Sequence, residues 1–243
     1  STPLEQASPR RTNLVVILLE SIGRRYLDDP ADPMPWLRAL RDRPGAVELH
    51  QHYATWSLTT KALFSVLCGE MPWPTYRSIS FVNPAIPCVS LSEALGKAGW
   101  HTAFITPSDL DYDRKMRFLR HRGFDTVWDS KNIPGHEGAW RGAWGLEDRI
   151  AVDAILKYAA ERKAAEPQRP FFVLFEQLAG HHPFIATEAQ EKDPSPDRIG
   201  NYFRSLRTAG DATRATVEGL EALGLLRDTL IVVVADHGEG HGR

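Results

Sequence analysis

Four apolar runs of strand length, separated by helix-patterned segments, constrain this chain more than any other feature. They are "NLVVILLES", "HTAFIT", "PFFVLFEQLA" and "DTLIVVVADHGE". An unbroken apolar run marks a strand covered on both faces, because a strand with one wet face alternates apolar and polar residues. Helix patterns fill the gaps. "PMPWLRALRDRPG" opens on proline and closes at Gly45, and "LTTKALFSVLCG" stops at Gly69 and Pro72. "SLSEALGKAG" is capped by Ser90 or Ser92, and "LEDRIAVDAILKYAAERKAA" ends before Pro167. "NYFRSLRTAGDATRATVEGLEALGLL" is a long helix expected to break near Gly210. This alternation predicts an α/β fold with a mainly parallel central sheet and helices on both faces. One domain, residues 13–243, is expected after a polar lead over residues 1–12.

Charge and hydropathy exclude two classes of function. The 29 basic and 31 acidic side chains nearly balance, whereas a nucleic-acid binder carries a basic excess or stripe. The apolar runs are of strand length and fall short of the ~20 residues of a membrane span. The chain does not begin with Met and stops just after "ADHGEGHGR". Missing flanks, with a membrane anchor upstream of Ser1, are therefore expected. Cys68 and Cys88 are too few for a four-cysteine zinc site; they are either two buried thiols or one disulfide across the intervening loop.

In open α/β sheets, sites gather at the carboxyl ends of strands. Those ends read Glu20-Ser21, Thr106-Pro107-Ser108-Asp109, Gly180-His181-His182 and Asp236-His237. Alone, Glu20 reads as a solvated carboxylate. Together, Glu20, Asp236 and His237 supply two hard oxygens and one nitrogen, a set suited to Zn²⁺ or Mn²⁺ better than to Ca²⁺. Thr59 and Thr60 stand at the mouth of an apolar helix, where capping needs only one hydroxyl. The other role for such a hydroxyl is as a nucleophile, activated by a dication and placed at a helix end that favours an anionic ester.

These residues resemble the alkaline phosphatase and sulfatase superfamily, most closely the branch of lipoteichoic acid synthase and phosphoethanolamine transferases. "VVILLES" is similar to the family's first strand with its acidic metal ligand, and "ADHGE" to its late metal motif. Counting back from "CGEMP" places the family's nucleophile at Thr59. "GHHPF" resembles its His-containing segment and points to His181. "AWGLED" and "GFDTVWD" also resemble family stretches, which we read as mainly structural. Synthases carry His-Gly after the middle strand, then an aromatic and an Arg that hold the phosphate. Here Thr106-Pro107 replaces His-Gly, while Tyr112 and Arg114 follow at nearly the same distance. The lost His counts against a phosphoglycerol substrate. Arg114 reads equally as a surface residue of "DYDRKMRFLRHR". Thr59 cannot be converted to the aldehyde that arylsulfatases use, which excludes an ordinary sulfatase.

The resemblance implies an alkaline phosphatase-like fold, incomplete at the C-terminus, and a divalent metal held by Glu20, Thr59, Asp236 and His237. It implies Thr59 and His181 as catalytic residues and Arg114, Tyr112 and His181 as substrate-binding ones. The expected reaction moves a phosphoethanolamine or phosphoglycerol headgroup from a phospholipid donor to a glycan or lipid acceptor through a phospho-threonine. The expected place is the extracytoplasmic face of a bacterial inner membrane. Two alternatives stand beside it: a phosphodiesterase or phosphatase of the same fold, and a degenerate domain that binds metal or headgroup. His241 reads as a terminal histidine outside the site.

Overall fold

The structure, a computed structural model, describes residues 12–240; the polar lead up to residue 11 and His241 lie outside the described residues. In chain order the elements are β1 (Asn13–Leu19), α1 (Pro35–Arg41), α2 (Thr59–Cys68), α3 (Ile79–Val82), α4 (Leu91–Lys97), β2 (His101–Ile105) and α5 (Lys115–Leu119). There follow β3 (Thr126–Trp128), α6 (Asp148–Ala165), β4 (Phe171–Glu176), α7 (Glu188–Lys192), α8 (Arg198–Ala222) and β5 (Thr229–Ala235). The sheet has the order β3-β2-β4-β1-β5, and every pairing is parallel. This is the expected α/β architecture. β3 was not expected: three residues within "GFDTVWD" are too few to show a period, and only pairing with β2 makes them a strand.

The period of two along each strand divides the core into two layers. Val15, Ile17, Val173 and Phe175 pack with α6 and α8, through residues such as Ile155, Tyr158, Leu206 and Leu220. Val16, Leu18, Phe172 and Leu174 pack with α2 and α5, through Leu63, Phe64, Phe118 and Leu119. Helices therefore cover both faces.

Two local expectations are settled. Ser90 is the cap of α4, its side chain accepting from the Glu93 N–H. Cys68 and Cys88 form a disulfide that closes the segment between α2 and α4. One expectation is corrected: α8 runs unbroken through Gly210. A mid-helix glycine costs only about 1 kcal/mol. The buried face of α8, with Tyr202, Leu206, Ala209, Val217 and Leu220, outweighs that cost.

Candidate active site

The alternation that builds the second core layer also builds the site. In β1 the row Val16, Leu18 continues to Glu20; in β4, Phe172 and Leu174 continue to Glu176. In β2, Phe104 continues to Thr106, and in β5, Val234 continues to Asp236. Each strand that packs on α2 thus ends its apolar row on a polar residue. The register sets Thr106 level with Glu176 and Glu20 level with Asp236, while Glu176 lies opposite Leu18, one step of the row short of Glu20. All four are buried.

The first turn of α2 meets this row. Its N-cap is Leu58, and no side chain caps it, so neither Thr59 nor Thr60 serves as the cap. Thr60 is buried, and its hydroxyl has no partner among the described residues. Thr59 instead directs Oγ1 to Glu20, 3.0 Å from Oε2 and 3.3 Å from Oε1, with His237 Nε2 at 3.5 Å. The α2 N-terminus adds a partial positive charge at this point.

Donor atoms of Glu20, Asp236 and His237 lie within 4.8 Å of one another, an arrangement able to hold a metal ion. Asp236 Oδ1 accepts from the Ser21 N–H at 2.8 Å and from the His237 N–H at 2.6 Å. Its Oδ2 has no hydrogen bond among the described residues, although His237 Nε2 is 3.4 Å away. Burial first, and then the Glu20 carboxylate, push the Asp236 carboxyl well above its ordinary range. A dication would relieve both the unmet oxygen and the crowded negative charge, so these residues fit the metal that their types suggested. The Ser21 hydroxyl donates to Glu20 Oε1 at 2.7 Å, and Tyr202 donates to the Ser21 carbonyl at 2.7 Å, holding the end of β1 in place.

A cavity of about 330 Å³ opens in front of Thr59. His181 and Tyr112 line it, as does Trp144, whose ring centroid is 4.4 Å from Tyr112 and 4.8 Å from His181. His181 Nδ1 is 2.7 Å from the His182 carbonyl, an acceptor only, so Nδ1 carries the proton and Nε2 is left for chemistry. Of the two readings of Arg114, phosphate clamp or surface residue, the structure has the exposed one. Its guanidinium lies over the Phe81 ring at 4.5 Å, and it is not among the residues that line the cavity.

The next residue, Lys115, does line the cavity and meets Glu176 there. Sequence reasoning passed over Lys115, Glu176 and Trp144. The signal for Glu176 was present, as the polar end of the row Phe172, Leu174. Asp148, in the "AWGLED" stretch read as structural, accepts from the N–H groups of Leu178 at 2.8 Å and Ala179 at 3.2 Å. It thereby fixes the loop that carries His181. Burial raises its pKa to about 7, against the pull of those two N–H groups.

A parallel sheet covered on both faces, with a hydroxyl set among two carboxylates and an imidazole at its carboxyl edge, defines an alkaline phosphatase-like fold. The chain belongs to the sulfatase family, whose sequence pattern matches residues 12–243. Among curated relatives, phosphoglycerol transferase I of Escherichia coli is 26% identical over 239 residues, covering 93% of this chain and 31% of the relative. The chain thus spans about a third of the length of the curated relatives it matches. Among solved structures, the lipoteichoic acid synthase LtaP of Listeria monocytogenes superposes with a TM-score of 0.81 at 20% identity, covering 96% of this chain and 57% of that one. The Streptococcus pyogenes phosphoglycerol transferase GacH, in complex with sn-glycerol-1-phosphate, superposes at 0.65 and 17% identity, covering 95% and 62%. At such identities the structural likenesses show the fold alone.

Proposed function

We propose that the protein transfers a phospho-alcohol headgroup, of the phosphoglycerol kind, from a phospholipid to a glycan or lipid hydroxyl by way of a phosphorylated Thr59. The observation that carries this reading is the Thr59 hydroxyl 3.0 Å from Glu20, facing the cavity at the head of α2. The curated relative named phosphoglycerol transferase I favours phosphoglycerol over phosphoethanolamine, although Thr106-Pro107 replaces the His-Gly of the synthases.

Glu20, Asp236, His237 and Thr59 would hold the divalent metal, Zn²⁺ or Mn²⁺. Bound there, it would lower the pKa of the threonine hydroxyl and offset charge on the phosphate. In the first step the Thr59 Oγ–P bond forms, the P–O bond to diacylglycerol breaks, and Glu20 Oε2 is the nearest acceptor for the hydroxyl proton. Protonated His181 gives a proton from Nε2 to the leaving diacylglycerol oxygen. In the second step neutral His181 takes the acceptor's proton as its oxygen attacks phosphorus, and Thr59 leaves with its proton restored. Hydrolysis differs only in that water is the acceptor.

Such lipid chemistry belongs at the outer face of a bacterial cytoplasmic membrane. Among the described residues no helix is long and apolar enough to cross a membrane, so anchoring would come from other residues. The test is mass spectrometry of the Thr59 peptide after metal-loaded protein is incubated with phosphatidylglycerol. A glycerophosphate adduct on Thr59 is expected. Turnover of the lipid in a Thr59→Ala variant at the wild-type rate would overturn the reading.

A further inference from the structure

The polar row at the sheet edge has two halves. Glu20 and Asp236 belong to the candidate metal centre. Glu176, beside Thr106, forms an ion pair with Lys115 that no step above uses. Lys115 Nζ is 2.6 Å from Glu176 Oε2, with side chains 9% and 1% exposed. The hydroxyls of Thr106 and Ser108 stand 3.4 and 3.5 Å from the same oxygen. Glu176 Oε1 has no hydrogen-bond partner among the described residues. Both members of the pair line the cavity that Thr59 faces. A buried ion pair is stabilising only when its remaining donors and acceptors are met. An unmet carboxylate oxygen beside a cavity is therefore a place for a ligand's donor.

We propose that Lys115 and Glu176 form a headgroup subsite that selects a neutral polyol, such as a glycerol end, over a headgroup bearing an ammonium. This rests on the phospho-transfer reading above. Lys115 has three N–H donors, of which Glu176 Oε2 takes one, and Glu176 Oε1 is a free acceptor among the described residues. A vicinal diol both donates and accepts, and so matches the pair. An ammonium only donates. It would satisfy Oε1 but would sit beside the fixed like charge of Lys115, a repulsive arrangement of the kind that sets specificity. Burial works against the Lys115 charge, yet Glu176, then Glu20 and Asp236, hold its pKa above the ordinary range. Of the other carboxylates outside the candidate metal centre that line the cavity, Asp109 is paired with Lys131 at 2.6 Å and Glu239 with Arg198 at 3.0 Å, which leaves Asp113 without an ion pair among the described residues.

The test is calorimetric titration of the metal-loaded protein with glycerol phosphate and with O-phosphoethanolamine. Wild type is expected to favour glycerol phosphate by about tenfold or more. Lys115→Met, which leaves Glu176 unpaired, is expected to shrink that ratio at least tenfold or reverse it. If Lys115→Met does not fold, Lys115→Gln with Glu176→Gln keeps polar groups and should abolish the discrimination. An unchanged ratio in a folded variant, or a wild-type ratio within about twofold of one, overturns the subsite. A second arm separates the two readings by following the Thr59 adduct from phosphatidylglycerol and phosphatidylethanolamine. Equal adducts overturn the selection and leave the transfer standing. No adduct, with the binding preference intact, overturns the transfer and leaves the subsite.

Discussion

Replacing Asp148 by Asn tests whether a buried carboxyl positions the His181 loop at a cost that depends on pH. Asp148 is 1% exposed and has its pKa raised from 3.8 to about 7 by burial. A carboxyl raised on folding weakens the folded state as pH rises from its unfolded to its folded pKa, because the unfolded chain releases the proton more easily. At 1.36 kcal/mol per unit, the interval from pH 5 to pH 7 corresponds to about 3 kcal/mol. Asparagine does not titrate, but its amide nitrogen can only donate, so it loses one of the two backbone N–H bonds, worth about 1–3 kcal/mol at every pH. Urea denaturation of chelator-treated protein at pH 5 and pH 8 measures both effects. Asp148→Asn should be less stable than wild type at pH 5, and the difference should move in the variant's favour by up to about 3 kcal/mol at pH 8. A difference that stays constant within about 0.5 kcal/mol would refute the reasoning, since it would mean that Asp148 is ionised in the folded state at both values.

Three further outcomes follow from the geometry. Glu20→Gln and His237→Ala should each lose most bound Zn²⁺ or Mn²⁺ by elemental analysis, since each removes one of three clustered donors; retained metal would exclude these ligands. Thr59→Ser should keep an adduct on residue 59 while Thr59→Ala forms none, with both melting near wild type because no cap is lost. Phe64→Ala, at a side chain 1% exposed beneath the nucleophile helix, should lose about 3–5 kcal/mol by urea denaturation; a loss under about 1 kcal/mol would mean that α2 is not held by this core.

How much of the site was legible follows the same alternation that orders the core. Glu20, Asp236 and His237 were readable because each ends an apolar run, and a strand end in a parallel sheet is where its neighbours also end. Glu176 ends such a run too. It was passed over because the reading of that strand continued to "GHHPF" and stopped at the histidines. Arg114 and Lys115 show where reading along a chain fails. They are adjacent residues in a charged run, and composition cannot say which of them faces inward. The positive φ at Asp113 and Arg114, 51° and 53°, turns the chain so that Lys115 starts α5 inside the cavity. Arg114 is left over Phe81.

The sequence by itself determined the layer architecture, because unbroken apolar strands between amphipathic helices have few ways to bury both faces. It also determined the candidate metal donors and the candidate hydroxyl, since those are chemical types at strand and helix ends. The tertiary structure alone decided the strand order, the three-residue edge strand, the disulfide between Cys68 and Cys88, and the pairing of Lys115 with Glu176. Each of these depends on contacts between segments far apart in the chain. A pattern read along one segment records which face is buried, but not which other segment buries it.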